Sequence, residues 1–308
     1  MATGIDLPVE GRLASFEGAA GWLNSPALTP EELRGKVVLV DFWTYTCINW
    51  LRTLAYVRAW AERYAGDGLV VVGVHTPEFP FEQDVDNVRR AVEAMDVRYP
   101  VALDPDYAVW DAFANRYWPA AYIADREGRI RHHQFGEGGY EEQERVIQGL
   151  LGVDGDLVSV EPAGFEVQAD WERLKSPETY LGSQQGVRQA PSGDLSLNEW
   201  SLEGDWRVGP RAAVLADGDG RLSFRFHARD VHLVMGPREP GAEVPFRVLV
   251  DGEAPADAHG LDVDEGGRGT VSEQRLHQLI RQPGRIDDRT LELDFPEAGV
   301  EAYCFTFG

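Results

Sequence analysis

Two rhythms of apolar and polar positions alternate through the first half of this chain. Unbroken apolar runs at 37–43 ("VVLVDFW") and 69–75 ("LVVVGVH") predict strands buried on both faces. Between them Leu51, Leu54, Val57 and Trp60 recur at helical spacing, which predicts a helix over 49–64. Further stretches predict helices over 81–97, 107–117 and 140–151, while "AAYIADREGRIRHHQF" (120–135) predicts a hairpin turning at Glu127-Gly128. Strands that alternate with helices and end in a hairpin and a helix imply a central sheet covered on both faces.

The rhythm breaks at "GVDGDLVSVEPAG" (152–164), whose Gly, Asp and Pro predict a linker. Beyond it, apart from a short helix expected over 274–279, helical periodicity gives way to alternating runs such as "LSFRFHA", "DVHLVMG", "FRVLVDG", "LELDF" and "EAYCFTFG". Many short strands parted by turn residues predict an all-β sandwich or jelly roll. The expected organisation is an α/β domain at 1–153, a linker at 154–164 and a β domain at 165–308.

Composition agrees with this division. A chain of 308 residues, 43% of them hydrophobic, is long enough for two cores. The formal net charge is −23, and only Lys36 and Lys175 of the 29 basic residues are lysine. Such a surface repels phosphate backbones and anionic lipid, so neither nucleic acid nor membrane is an expected partner. The first residues carry no basic start followed by an apolar stretch, and the expected location is cytoplasmic. The two cysteines, Cys47 and Cys304, fall in different expected domains, and both are expected to stay reduced in that compartment.

Candidate chemistry concentrates in "DFWTYTCINWLR" (41–52). A cysteine directly after a buried strand and at the head of a helix faces unsatisfied backbone N–H groups and the positive end of the helix dipole. That setting favours thiolate, the nucleophilic form. Position alone leaves Cys47 either such a nucleophile or a small buried hydrophobe. Asp41 stands in an apolar run, where a carboxylate is costly to bury and its pKa is expected to rise, which suits a functional acid.

The segment "VVLVDFWTYTCINWLR" resembles the active-site segment of thioredoxin-fold proteins of the redoxin or AhpC/TSA type. Together with "GVHTPEF", "YWPAAYIAD", "GRIRHHQFGEG" and the tail "FRVLVDG…AHGLDVDE…GVEAYCFTFG", it is similar to the soluble part of DipZ-type proteins, which pair a thioredoxin-like domain with a domain resembling carbohydrate-binding modules. The resemblance covers nearly the whole chain from about residue 28. It implies that Cys47 is the nucleophile and that Asp41 is the buried acid exchanging protons beneath it. It also implies that Pro119 is a cis-proline, with Trp118 offering backbone groups to an extended substrate. Trp50 falls where the family keeps its resolving cysteine, which is the main departure. Trp43, Tyr45 and Trp50 are expected to join Trp118 and Pro119 in lining the substrate's side of the site, with Trp50 covering the sulfur.

One thiol without a local partner implies release by an external thiol, with no cofactor. The expected function is a thiol-dependent oxidoreductase, acting on small thiols, client disulfides or peroxides. The alternative is a non-catalytic thioredoxin-like domain that binds extended peptides at Pro119, with the β domain as an interaction surface. Sugar binding by the β domain would need exposed aromatics, for which Trp200 and Trp206 are candidates.

Other signals carry less chemistry. His132 and His133 are neighbours on a strand and point to opposite faces, so they cannot share a metal. His75 is expected to be a satisfied structural histidine, "LDVDEGGRG" (261–269) a turn rather than a Ca²⁺ loop, and "FGEGGY" (135–140) a plain turn. Cys304 is expected in the core of its strand.

Overall fold

A computed structural model of the protein describes residues 7–185, 189–191 and 193–308. The first six residues, read above for a leader, lie outside the described residues. The chain divides into two compact units, Met1–Glu166 and Val167–Gly308. Among the described residues no helix is long and apolar enough to cross a membrane.

In chain order the first unit comprises β1 (Gly11–Arg12), β2 (Gly21–Leu23), β3 (Val37–Trp43), α1 (Ile48–Tyr64), β4 (Leu69–His75), α2 (Val85–Ala94), β5 (Val101–Leu103), α3 (Ala108–Ala112), β6 (Ala120–Ala124), β7 (Arg129–Phe135) and α4 (Tyr140–Leu151). The strands form one mixed sheet in the order β1-β7-β6-β3-β4-β5-β2, with β3, β4 and β5 parallel and β6 antiparallel to β3. β3 is buried along its whole length. Successive residues of a strand face opposite sides of the sheet. On one side Val38, Val40 and Phe42 join a core with Val72, Val74 and Trp110. On the other, Asp41 and Trp43 meet Trp50 of α1.

Two local expectations are corrected. The 81–97 stretch is not one helix but a 3₁₀ turn, Pro80–Gln83, followed by α2, because the Asp84 carboxylate accepts the Asp86 and Asn87 amides and starts a new helix there. The 107–117 helix shrinks to α3. Its start is set by Asp104, whose carboxylate accepts the Val109 and Trp110 amides at 2.9 Å, and its end by Ala114 at φ 51°. The short strands β1 and β2 carried no pattern long enough to be read. The 152–164 stretch forms no strand or helix up to Ala163 and packs with the first unit, since Val158 N–H donates to Glu144 of α4 at 2.8 Å.

The second unit is all-β. It comprises β8 (Thr179–Tyr180), β9 (Trp200–Val208), β10 (Ala213–Phe226), β11 (Asp230–Pro237), β12 (Val244–Val250), β13 (Arg268–Val271), β14 (Arg275–Arg281), β15 (Arg289–Phe295) and β16 (Val300–Phe307). The antiparallel path runs β13-β12-β15-β10-β16-β11-β14, with β8 on β16 and β9 on β10. Its inward residues share one core. The helix expected over 274–279 is strand β14. Residues 276–280 are all buried, so no two-residue alternation was there to betray a strand. The 261–269 stretch turns through residue 267 and then enters β13. Its two aspartates are spent locally, Asp262 on Arg275 and the Gln278 amide, Asp264 on the Arg268 amide.

Candidate active site

β3 delivers the chain to the site and α1 carries it away. Cys47 is the N-cap of α1 in extended backbone, its N–H donating to Thr44 O at 3.2 Å and its own carbonyl accepting Leu51 N–H at 3.0 Å. The side chain makes no capping hydrogen bond, and it is partly exposed. No acidic residue lies in the first turn of this 17-residue helix, so nothing there offsets the positive end of its dipole. Cys47 is the one cysteine in 1–166 and lies outside any disulfide.

Asp41 is 1% exposed on the α1 side of the sheet. Its Oδ2 accepts Trp50 Nε1–H at 2.9 Å, while Oδ1 has no hydrogen-bond partner. Burial pushes its pKa up to about 7, with the Trp50 hydrogen bond holding it from going further. The indoles of Trp50 and Trp43 stack at 4.2 Å and 17°. Gly73, the β4 residue paired with Asp41, leaves the space the Trp43 indole needs, since a Cβ there would lie 2.8 Å from Trp43 Nε1.

This placement corrects two expectations. Trp43 and Trp50 are both 0% exposed, so neither lines the surface a substrate would meet, and Trp50 points at Asp41. An indole has more apolar area than a thiol and one N–H to satisfy; the stacked Trp43 ring covers the area and the buried carboxylate accepts the N–H. Tyr45 is also buried, stacked on His75 at 5.7 Å. Trp118 stays partly exposed, donating Nε1–H to Thr76 O at 3.1 Å, and the Trp118-Pro119 peptide is cis.

His75 sits between Trp43 and Tyr45, and burial lowers its pKa to about 3, so it is neutral at ordinary pH. Its Nε2 has no partner, so the satisfied histidine expected here is not fully satisfied. His132 and His133 do face opposite sides, His133 pairing with Glu10 at 2.7 Å. In the second unit Trp200 is 0% exposed and cannot serve as a sugar platform, while Trp206 is half-buried with Nε1–H on Glu203 O. Cys304 is buried in the core, as its strand position predicts.

Two buried carboxylates beside the site carried no sequence signal. Glu82 accepts Thr46 Oγ1–H at 2.6 Å and the Glu78 and Phe79 amides at 2.6 and 2.8 Å, which ties the loop after β4 to the residue before Cys47. Burial raises its pKa against those hydrogen bonds. Glu137, in the "FGEGGY" turn, is ion-paired with Arg52 of α1 at 2.9 Å. Burial raises its pKa too, with Arg52 opposing. These contacts span 36 and 85 residues, so only a three-dimensional fold reveals them.

Comparison with known proteins gives the class. Residues 19–133 match the AhpC/TSA family and residues 176–308 match the thioredoxin like C-terminal domain. The chain is 33% identical to the thiol-disulfide oxidoreductase YkuV of Bacillus subtilis over 45% of this chain and 93% of YkuV. It belongs to the thiol-disulfide oxidoreductase family of the thioredoxin superfamily. It is also 34% identical to Protein DipZ of Mycobacterium tuberculosis (strain CDC 1551 / Oshkosh) over 97% of its length, while spanning 43% of that longer protein. Among solved structures, a thioredoxin-like protein in its oxidized form is 31% identical over 48% of this chain and 100% of that one, with a TM-score of 0.43.

Proposed function

We propose that the protein exchanges thiols and disulfides through Cys47 as its single nucleophile, with an external thiol completing each cycle. The Cys47 thiolate attacks one sulfur of a substrate disulfide, forming a mixed disulfide and expelling the other sulfur as thiolate. A second thiolate from solution then attacks the substrate sulfur of the mixed disulfide, and Cys47 leaves as thiolate. Asp41, titrating near neutrality beneath the sheet, is the group proposed to hold or give a proton as charge moves on and off the sulfur. Pro119 and Trp118 are the proposed substrate edge, and small thiols or client disulfides the proposed partners.

The observation that supports this most is the placement of Cys47, partly exposed at the N-cap of a long helix whose first turn holds no acid. The test is alkylation by limiting iodoacetamide across pH, with the adduct located by mass. The expected result is modification of Cys47 with a midpoint well below the ~8.5 of an ordinary thiol. A midpoint at or above that value leaves the alternative, a peptide-binding domain without chemistry. Intact mass after mild peroxide, with and without glutathione, separates a sulfenic acid from a mixed disulfide.

A further inference from the structure

Charge joins the second turn of α1 to the loop after β7 in a place where water does not reach. Arg52 Nη1 donates to Glu137 Oε1 at 2.9 Å, and the two side chains are 1% and 5% exposed. Taking such charges out of water costs several kcal/mol per ion, and apolar residues of similar volume are often as stable or more so. Stability alone therefore does not account for the pair. A buried ion pair supplies something an apolar contact lacks, a fixed direction and length between two elements.

Both elements carry groups of the proposed site. α1 is headed by Cys47, five residues before Arg52. In the loop, Gly136 N–H donates to Pro119 O at 2.8 Å, so the segment holding Glu137 also holds the cis-proline. Gly136, Gly138 and Gly139 all adopt left-handed backbone, with φ of 76°, 98° and 64°. Only glycine takes such a succession cheaply, and it winds the chain tightly around Glu137. Gln143 of α4 secures the far side, its Nε2–H on Gly138 O at 2.9 Å.

From this geometry we infer that Arg52 and Glu137 are positioning residues, which set the Cys47 helix against the Pro119 edge and so govern attack on a bulky disulfide. The inference rests on the Cys47 chemistry proposed above. The pair acts through the backbone of α1 and of the loop. A small electrophile can reach the sulfur without using the Pro119 edge, whereas a peptide disulfide must lie along it. The pair therefore matters for the second and not for the first.

The experiment compares two rates at Cys47 in the full chain. One is alkylation by iodoacetamide, and the other is exchange with a peptide whose cysteine carries a chromogenic thionitrobenzoate cap. The double variant Arg52→Met/Glu137→Leu removes the charges and keeps the volume. It is expected to melt at or above the wild-type temperature and to lose about tenfold or more in peptide exchange, with alkylation within about twofold of wild type. Glu137→Gln keeps the shape and an acceptor for Arg52, and is expected to exchange at an intermediate rate. A folded double variant with both rates unchanged overturns the inference. Should the double variant not fold, Glu137→Gln decides alone: slower exchange with unchanged alkylation supports the inference, and unchanged rates overturn it. The wild type separates the two layers. If it exchanges with no probe, the Cys47 chemistry falls and takes the inference with it; if it exchanges and the variants match it, only the inference falls.

Discussion

Asp41 in the first unit and Asp230 in the second are each 1% exposed, yet their surroundings differ. Burial raises the pKa of both. At Asp230 two arginines outweigh it, Arg281 Nε on Oδ1 at 2.6 Å and Arg229 Nη2 on Oδ2 at 2.6 Å, and the carboxyl ends below its ordinary value. At Asp41 one indole N–H is the opposing contact, and the carboxyl ends near 7. A carboxylate kept for structure has its charge answered. One left to titrate near neutrality costs stability, which is the cost carried by the proton-exchanging role proposed for Asp41.

The largest effect is expected from removing the answered charge. Asp230→Ala leaves two arginines facing an emptied site and should cost about 3–5 kcal/mol in urea unfolding of the second unit at pH 7. A loss no greater than that of an exposed aspartate would dissolve the contrast.

Asp41→Asn should move the other way. Its folded pKa stands above the unfolded one, so the stability it contributes is intact below about pH 4 and is lost as pH rises through about 7. The variant, with no charge to bury, should therefore gain up to about 4 kcal/mol over wild type at pH 8 and none of that at pH 4. The same unfolding measurement at the two pH values checks it, and a pH-independent difference would mean that Asp41 is not titrating inside the fold.

The smallest effect concerns the donor. Trp50→Phe removes the N–H on Asp41 and should cost about 2 kcal/mol at pH 8, where the carboxylate is charged. The carboxyl titration, followed by infrared absorption, should move upward from about 7, because the contact that lowers it is gone. An unmoved titration would assign the raised value to burial alone.

Much of this was legible along the chain. The limits of β3 and β4 and the course of α1 follow from unbroken apolar runs and helical spacing, and the burial of Asp41 follows from its place inside one of them. The cis bond at Pro119 came through resemblance alone, because a proline opening a strand reads the same in either isomer. The inward turn of Trp43 and Trp50 was not legible. Aromatics beside a thiol suit a surface or a core equally until Asp41, nine residues from Trp50, is seen to claim its N–H. The Arg52–Glu137 pair lay deeper still, since a charged residue on an amphipathic helix ordinarily predicts solvent.

In the chemistry proposed for Cys47, the indole at position 50 also decides who keeps the electrons. With one cysteine between residues 1 and 166, this unit has no dithiol to close on itself, so a disulfide formed at Cys47 must borrow its other half from outside the unit. Its abundance then follows the amount and oxidation state of that outside pool, and the unit has no intramolecular couple with a midpoint potential of its own.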